Sequence, residues 1–374
     1  MIGRELMTSI AFSAPTVCAL VCMVMVLLDT YVHRWNPHER HLRLFLALTY
    51  FVTLLSWLGL VLYIAYPQVF IYYHPVFLLM LMLDQVMFSR FVSEITDTGE
   101  SRRFSRLHWI IPLFITAFSV LDYVLVPAGH TMRVAYGTDI PTYGTGFNLM
   151  YITTTMAVVV YNTFYPLLNL RNIRRYRRFV VDYSSDVQRT SLSWLAAMQA
   201  LILGSVPVPL AGLLLGLPTF STSGFVWLGP LSMFVFYVIL CYNMLRDNYL
   251  IIRSETVEVK VPATGIASIG RKRFERYLRE KKPYLNPKLR ITDLAAGLNT
   301  NRSYLSAFIN REYDMNFCRL INKCRLHELD RLRLANADKT NMELVLMAGF
   351  SEYRNYLRVK SDEDKLAVLK AFER

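Results

Sequence analysis

The sequence predicts an all-α chain in two parts, an N-terminal seven-helix transmembrane bundle and a cytoplasmic tail of short helices. Three observations predict it. Only 18% of the 374 residues are charged and 54% are apolar or aromatic, whereas soluble domains carry roughly a quarter charged residues. Seven apolar stretches are each long enough to cross a hydrocarbon core, which takes about 20 residues of helix. The charge is also uneven, because residues 246–374 hold 26 of the 41 Lys and Arg and 17 of the 28 Asp and Glu, or +9 of the net +13. The expected division is a membrane part over 1–246, a linker over 247–270 that contains Pro262, Gly265 and Gly270, and a basic domain over 271–374.

The predicted spans are 8–32, 42–65, 69–91, 107–127, 147–170, 191–217 and 224–245. Unpaired backbone groups are costly in lipid, so each span must be helical. The first is no secretory signal. Its apolar run is too long, only Arg4 precedes it and no A-x-A site follows. Arginine placement sets the orientation. Thirteen arginines lie at the connections after spans one, three and five: Arg34, Arg40 and Arg43; Arg90, Arg102, Arg103 and Arg106; and Arg171, Arg174, Arg175, Arg177, Arg178 and Arg189. The opposite side has Arg4 and Arg133. This bias puts the N-terminus outside and the C-terminus in the cytoplasm, with the chain in the cytoplasmic (inner) membrane and the lipid bilayer as its first partner. The run over 171–178 reads as a topology anchor at the membrane surface.

Ionisable residues inside spans are functional candidates by default, because they are expensive there. Asp84 with its neighbour Gln85, and Asp122, are the expected sensing or intramembrane polar residues. For Asp84 the structural alternative is a hydrogen bond to Asn162 or Gln199. Asp29 sits near the cytoplasmic end of its span, within reach of water. In span six, Pro207 and Pro209 remove two backbone donors and predict a kink. Gly212 and Gly216 supply the one sequence hint of a homodimer.

Enzymatic chemistry is not expected. The first lysine is Lys260, so no span can carry a Schiff base, and no H-E-x-x-H or G-x-S-x-G motif occurs. Cys318, Cys324 and His327 lack the paired C-x2-C spacing of a zinc site. No catalytic residue, metal or cofactor follows from the sequence.

The tail predicts helices near 271–282, 292–298, 301–311, 316–335, 341–348 and 351–360. Thr292 can cap a short helix with Leu294, Ala295 and Leu298 on its apolar face. Asn299 suits a sharp left-handed turn. Thr300 can cap the next helix, which buries Leu305, Phe308 and Ile309 at helical spacing. Asn301, Arg302, Ser303, Ser306, Asn310 and Arg311 remain outward, a small, polar and basic face. Two short helices, a tight turn and such a face describe a helix-turn-helix reader whose second helix enters the major groove.

The residues Leu294-Ala295, Tyr304-Leu305-Ser306, Asn316-Phe317, Ile321-Asn322, Arg325 and Gly349-Phe350-Ser351 occur in the order of a known pattern. Over roughly 271–360 the tail resembles the AraC-type DNA-binding domain, in which a long helix joins two helix-turn-helix units. The resemblance implies a double helix-turn-helix fold and double-stranded promoter DNA as a partner. In its second unit Leu344, Val345 and Ala348 face inward, Gly349 turns and Phe350 fills the core. Ser351 caps the next helix, where Tyr356 and Leu357 pack inward. Glu352, Tyr353, Arg354 and Asn355 fall where the family reads bases, with Arg358 at a phosphate or a packing position. The family's closing pattern is altered: Lys360 replaces an aromatic residue, and the acidic run Ser361-Asp362-Glu363-Asp364 follows, which weakens binding near phosphates.

Together these readings imply a membrane-tethered transcription regulator that responds to an unknown ligand or membrane protein partner. Members of the family commonly act as dimers. The alternative is a membrane receptor or transporter whose basic helical tail binds a protein.

Overall fold

The computed structural model describes residues 2–98, 104–125, 145–186, 191–215, 227–250, 270–336 and 338–372. Secondary structure among them is helical, without strands. The chain divides into two compact units, one of residues 1–174 with 192–252 and one of residues 175–191 with 253–374.

The first unit contains α1 (Ile2–Val32), α2 (Pro37–Ala65), α3 (Pro67–Ile95), α4 (Leu107–Leu125) and most of α5 (Thr145–Val180). It continues with α6 (Ser193–Ser205), α7 (Pro207–Leu215) and α8 (Leu228–Leu245). Pro37 and Pro67 open α2 and α3, where a missing N–H costs nothing because helix starts leave those donors unpaired anyway. A single residue, Tyr66, separates these two helices, and its N–H donates to Leu62 O at 2.8 Å. At the expected kink the helix is interrupted for one residue, Val206, between α6 and α7; it keeps helical angles (φ −57°, ψ −36°) and its N–H donates to Leu203 O. Helix α2 packs between α1 and α3, α8 packs on α1 and α6, and α4 lies on α3. Buried Leu78, Met82 and Val86 of α3 meet Ala157, Tyr161 and Tyr165 of α5.

The surface of this unit is apolar where a soluble protein would be polar. Leu20, Val21, Val24 and Leu28 of α1 are exposed, as are Ile110, Leu113, Phe114 and Phe118 of α4 and Ile152, Met156, Val160, Phe164 and Leu167 of α5. The last five follow helical spacing, so they form one stripe. Contiguous apolar surface of this kind marks contact with lipid or protein.

Five segments are long and apolar enough to cross a membrane: Ile10–Val32, Pro37–Leu62, Tyr72–Ile95, Ser193–Ala211 and Leu228–Leu245. They make the chain a membrane protein by length and composition. The two other expected spans are also helices. The apolar stretch of α4, Leu107–Val120, is shorter, and α5 is 36 residues long but diluted by Thr153, Thr154, Thr155, Asn148, Asn162 and Asn169.

The second unit contains α9 (Arg271–Lys281), a 3-10 turn (Pro283–Leu285), α10 (Ile291–Gly297) and α11 (Arg302–Tyr313). The 19-residue α12 (Phe317–Ala335) follows, then α13 (Asn341–Met347) and α14 (Tyr353–Phe372). Two cores lie at its two ends. In one, Phe274 and Leu278 of α9 are buried, as are Leu294, Leu298, Leu305, Phe308 and Ile309, and the Phe274 and Phe308 rings stand 5.3 Å apart, edge to face. In the other, Leu329 and Leu332 of α12 pack with Leu344, Val345, Ala348, Phe350 and Tyr356.

Helix ends differ in detail from expectation. Asn301, not Thr300, caps α11, accepting from the Tyr304 N–H at 2.8 Å. Asn299 takes the left-handed turn (φ 54°), and Thr300 is buried instead. Three adjacent cap-competent residues left the choice open, and the turn settled it. Helix α10 starts at Ile291, where Asp293 accepts from the Arg290 N–H at 3.0 Å, in place of the Thr292 cap. Helix α14 runs past Lys360 because nothing from Ser361 to Phe372 is Gly or Pro. Leu357, expected inside, is 49% exposed.

Candidate nucleic-acid interface

Helix α11 presents the outward residues predicted from the sequence. Asn301, Ser303, Asn310 and Arg311 are exposed, and Ser306 is half-buried. Arg311 pairs with Glu312 at 3.0 Å. Arg302, the first residue of α11, is engaged within its own unit: its guanidinium lies 3.9 Å over the Phe179 ring and 5.7 Å from the Tyr183 ring. Gly297 at the end of α10 lets that helix approach α9, since a Cβ there would collide with the Tyr277 phenol.

The second set divides. Glu352, Arg354 and Arg358 are exposed at the start of α14. Tyr353 is half-buried, and its hydroxyl accepts from Asn341 Nδ2 at 3.1 Å. Asn355 is not outward. It is 8% exposed, and its Nδ2 donates to Asp186 Oδ1 at 3.2 Å. The sequence could not signal this, because the partner lies 169 residues away. Gly349 makes the turn before α14 with φ +94°. A Cβ there would meet the Tyr284 carbonyl oxygen and come within 2.7 Å of Leu285 Cα, so both the backbone angle and the space require glycine.

Arg325, in the middle of α12, ties the unit together. It is fully buried. Its Nε donates to Tyr284 O at 2.8 Å, and Nη2 donates to Asn286 O at 2.8 Å and to Ser185 Oγ at 3.0 Å. Nη1 donates to Ser185 O at 3.2 Å and to Asn322 Oδ1 at 3.2 Å. Burial pulls its pKa down to about 10, which leaves it charged at neutral pH. Five donors in a rigid fork suit this task, and a lysine could not replace them.

Further along α12, Glu328 accepts from Arg331 Nη2 at 2.6 Å and from Lys282 Nζ at 2.9 Å. Chiefly through Arg331, its carboxyl is held down to about 2. The acidic run is partly neutralised, since Glu363 accepts from Arg319 Nε at 2.8 Å and lies 3.7 Å from Lys323 Nζ.

The segment before α6 is more than a topology anchor at the membrane surface, because its residues from Arg175 belong to this unit. Ser184 pairs with Arg290 as an isolated antiparallel bridge. Within it the Ser185 N–H donates to Leu289 O (3.1 Å) and the Ile291 N–H to Tyr183 O (3.0 Å). The Cys318 N–H donates to Val181 O at 3.3 Å. Val180, Tyr183, Ser184, Ser185 and Asp186 are all buried.

In the first unit, Asp84 accepts from Thr53, not from Asn162 or Gln199. Gln85 is buried, and its Oε1 has no hydrogen-bond partner. Both residues line a small cavity with Thr49, Tyr50 and Tyr237. Gln199 instead accepts from Asn169 at 3.1 Å, which in turn accepts from Ser89 at 2.8 Å. Asp122 falls on α4, but its side chain lies outside the described residues, as does Gly216.

Sequence reasoning passed over Arg43, counting it only as a topology marker. Its guanidinium is fully buried and donates to Asp29, to Asp247 (2.5 Å), to Met244 O (3.2 Å) and to Tyr249 Oη (3.3 Å). Trp35 covers it at 3.7 Å. The available signal was an acid at the end of span one with a basic residue just inside the next.

Among the described residues no group of three or more His, Cys, Asp and Glu could hold a metal ion. No family model, curated protein or solved structure matches the chain.

Proposed function

We propose that this chain is a membrane-tethered transcription regulator, with seven spans and an AraC-type double helix-turn-helix domain on the cytoplasmic side of the inner membrane. One observation carries the reading. A single unit holds two helix pairs, α10–α11 and α13–α14, each opening with a seven-residue helix, each turning at a residue with positive φ, and joined by α12. Each pair offers a polar or basic face at the start of its second helix, which is where helix-turn-helix proteins contact base edges. In this reading a stimulus in the membrane or at its outer face shifts the spans, and the shift changes how the readers meet promoter DNA. Two copies would address two half-sites with raised effective concentration.

The test is promoter binding by the full-length protein in lipid nanodiscs across salt concentrations. Sequence-preferring binding that weakens about 10³-fold or more between 50 and 200 mM salt is expected for six or more phosphate contacts. Equal affinity for promoter and random duplex at every salt would overturn the reading and favour a protein-binding tail.

A further inference from the structure

The surface between the two proposed readers is already occupied, and the occupant is this chain's own segment 179–186. The segment touches three parts of the unit at once. Phe179 and Tyr183 stack on Arg302 at the start of α11. Ser185 receives two donors of Arg325 in the joining helix. Asp186 receives the Asn355 amide at the start of α14. Two of the residues that would read DNA are therefore held by one short stretch of chain, one from each reader.

The chemistry of the segment is as telling as its position. It offers Arg302 two aromatic faces and, at Asp182, a carboxylate electrostatically coupled to it. Burial raises the Asp182 carboxyl above its ordinary range, and Arg302 opposes the rise. It offers Asn355 a second carboxylate. Stacking surface and negative charge are what an arginine finds on a nucleic acid, and hydrogen-bond acceptors are what an asparagine finds on a base edge. Cys318 belongs to the same contact, with its Sγ 3.6 Å from Ser185 O. The chain enters the segment directly from α5, whose range ends at Val180.

We propose that residues 179–186 are an intramolecular stand-in for DNA, a strap that occupies Arg302 and Asn355 together and must leave before either reader engages a promoter. This rests on the DNA-binding reading above. Withdrawal of the strap through α5 is then the step by which a membrane stimulus acts, and it frees both readers together because one segment holds both.

The experiment uses the full chain in nanodiscs, with Cys324→Ser so that labelling reports on Cys318. Phe179→Ala and Asp186→Ala each remove a strap contact without altering a reader. Each should raise the maleimide labelling rate of Cys318 and tighten promoter binding about tenfold. Phe179→Leu keeps the bulk and removes the aromatic face, and it serves if either alanine variant fails to fold. Faster labelling with unchanged or weaker promoter binding would overturn the strap's inhibitory role and leave it a structural part. Unchanged labelling would overturn its hold on the unit. If no form separates promoter from random duplex while labelling still responds, DNA reading itself fails and this inference with it.

Discussion

Gly349 and Glu328 show how single residues set the behaviour of the second unit. At Gly349 the φ of +94° and the backbone of Tyr284 and Leu285 leave no room for a methyl group. Gly349→Ala should cost about 1–3 kcal/mol through strain of this kind, read as a lower melting temperature with the helical spectrum retained. Glu328 brings pH dependence. Its carboxyl sits at about 2 in the folded chain against an ordinary 4.5, so its contribution is complete above about pH 4.5 and is lost as the pH falls towards 2. Thermal melts from pH 7 to pH 3 should show Glu328→Gln less stable than the parent at neutral pH, with the gap narrowing steadily below about pH 4.5. A constant gap would disprove the assignment. Arg325 is costly to remove. Arg325→Ala leaves the carbonyls of Tyr284, Ser185 and Asn286 without their donor, and buried groups abandoned in this way cost about 1–3 kcal/mol each.

At the level of helices, α11 separates two kinds of contact. Asn310 and Ser306 lie on the face that would meet base edges, and Arg311 is an exposed cation at its end. Asn310→Ala should lose about 1–3 kcal/mol of discrimination at one base position, seen as a relaxed preference in a panel of single-base promoter variants. Arg311→Ala should weaken all sequences alike and flatten the salt dependence by about one unit of slope. A variant panel in which the two substitutions behave identically would remove α11 from the groove. Turns and apolar spacing in this region were legible from sequence where side-chain chemistry is local: Asn299, Gly349 and the apolar spacing of Leu305, Phe308 and Ile309 each fell as expected, while the caps of α10 and α11 fell on residues other than Thr292 and Thr300. What was not legible was long-range. Asn355 follows the reading pattern by position, yet Asp186 claims it. No local rule reports a partner 169 residues away.

The same division holds for the molecule as a whole. Composition and spacing announced a membrane part and a basic tail, and five apolar helices of spanning length bear out the membrane part. Helix α5 was harder to read, because its threonines and asparagines blur the apolar signal while its exposed stripe from Ile152 to Leu167 restores it. The grouping of residues 175–191 with the tail was invisible to a linear reading. Topology is open to direct measurement: reporter fusions after Arg133 and after Arg178 should give opposite-side signals, and matching signals would overturn the topology drawn from the spans and the arginine bias.

The buried Arg43 has a consequence for how such a chain can drift over time. Two carboxylates, a carbonyl and a phenol converge on one guanidinium from two stretches of polypeptide, the end of α1 and residues 244–249. Losing either carboxylate alone leaves the buried guanidinium less compensated, and losing Arg43 alone deprives Asp29 of this cation. In an alignment of relatives, positions 29, 43 and 247 should therefore mutate in concert or stand still, and a family in which they wander independently would show that the trio is ornamental.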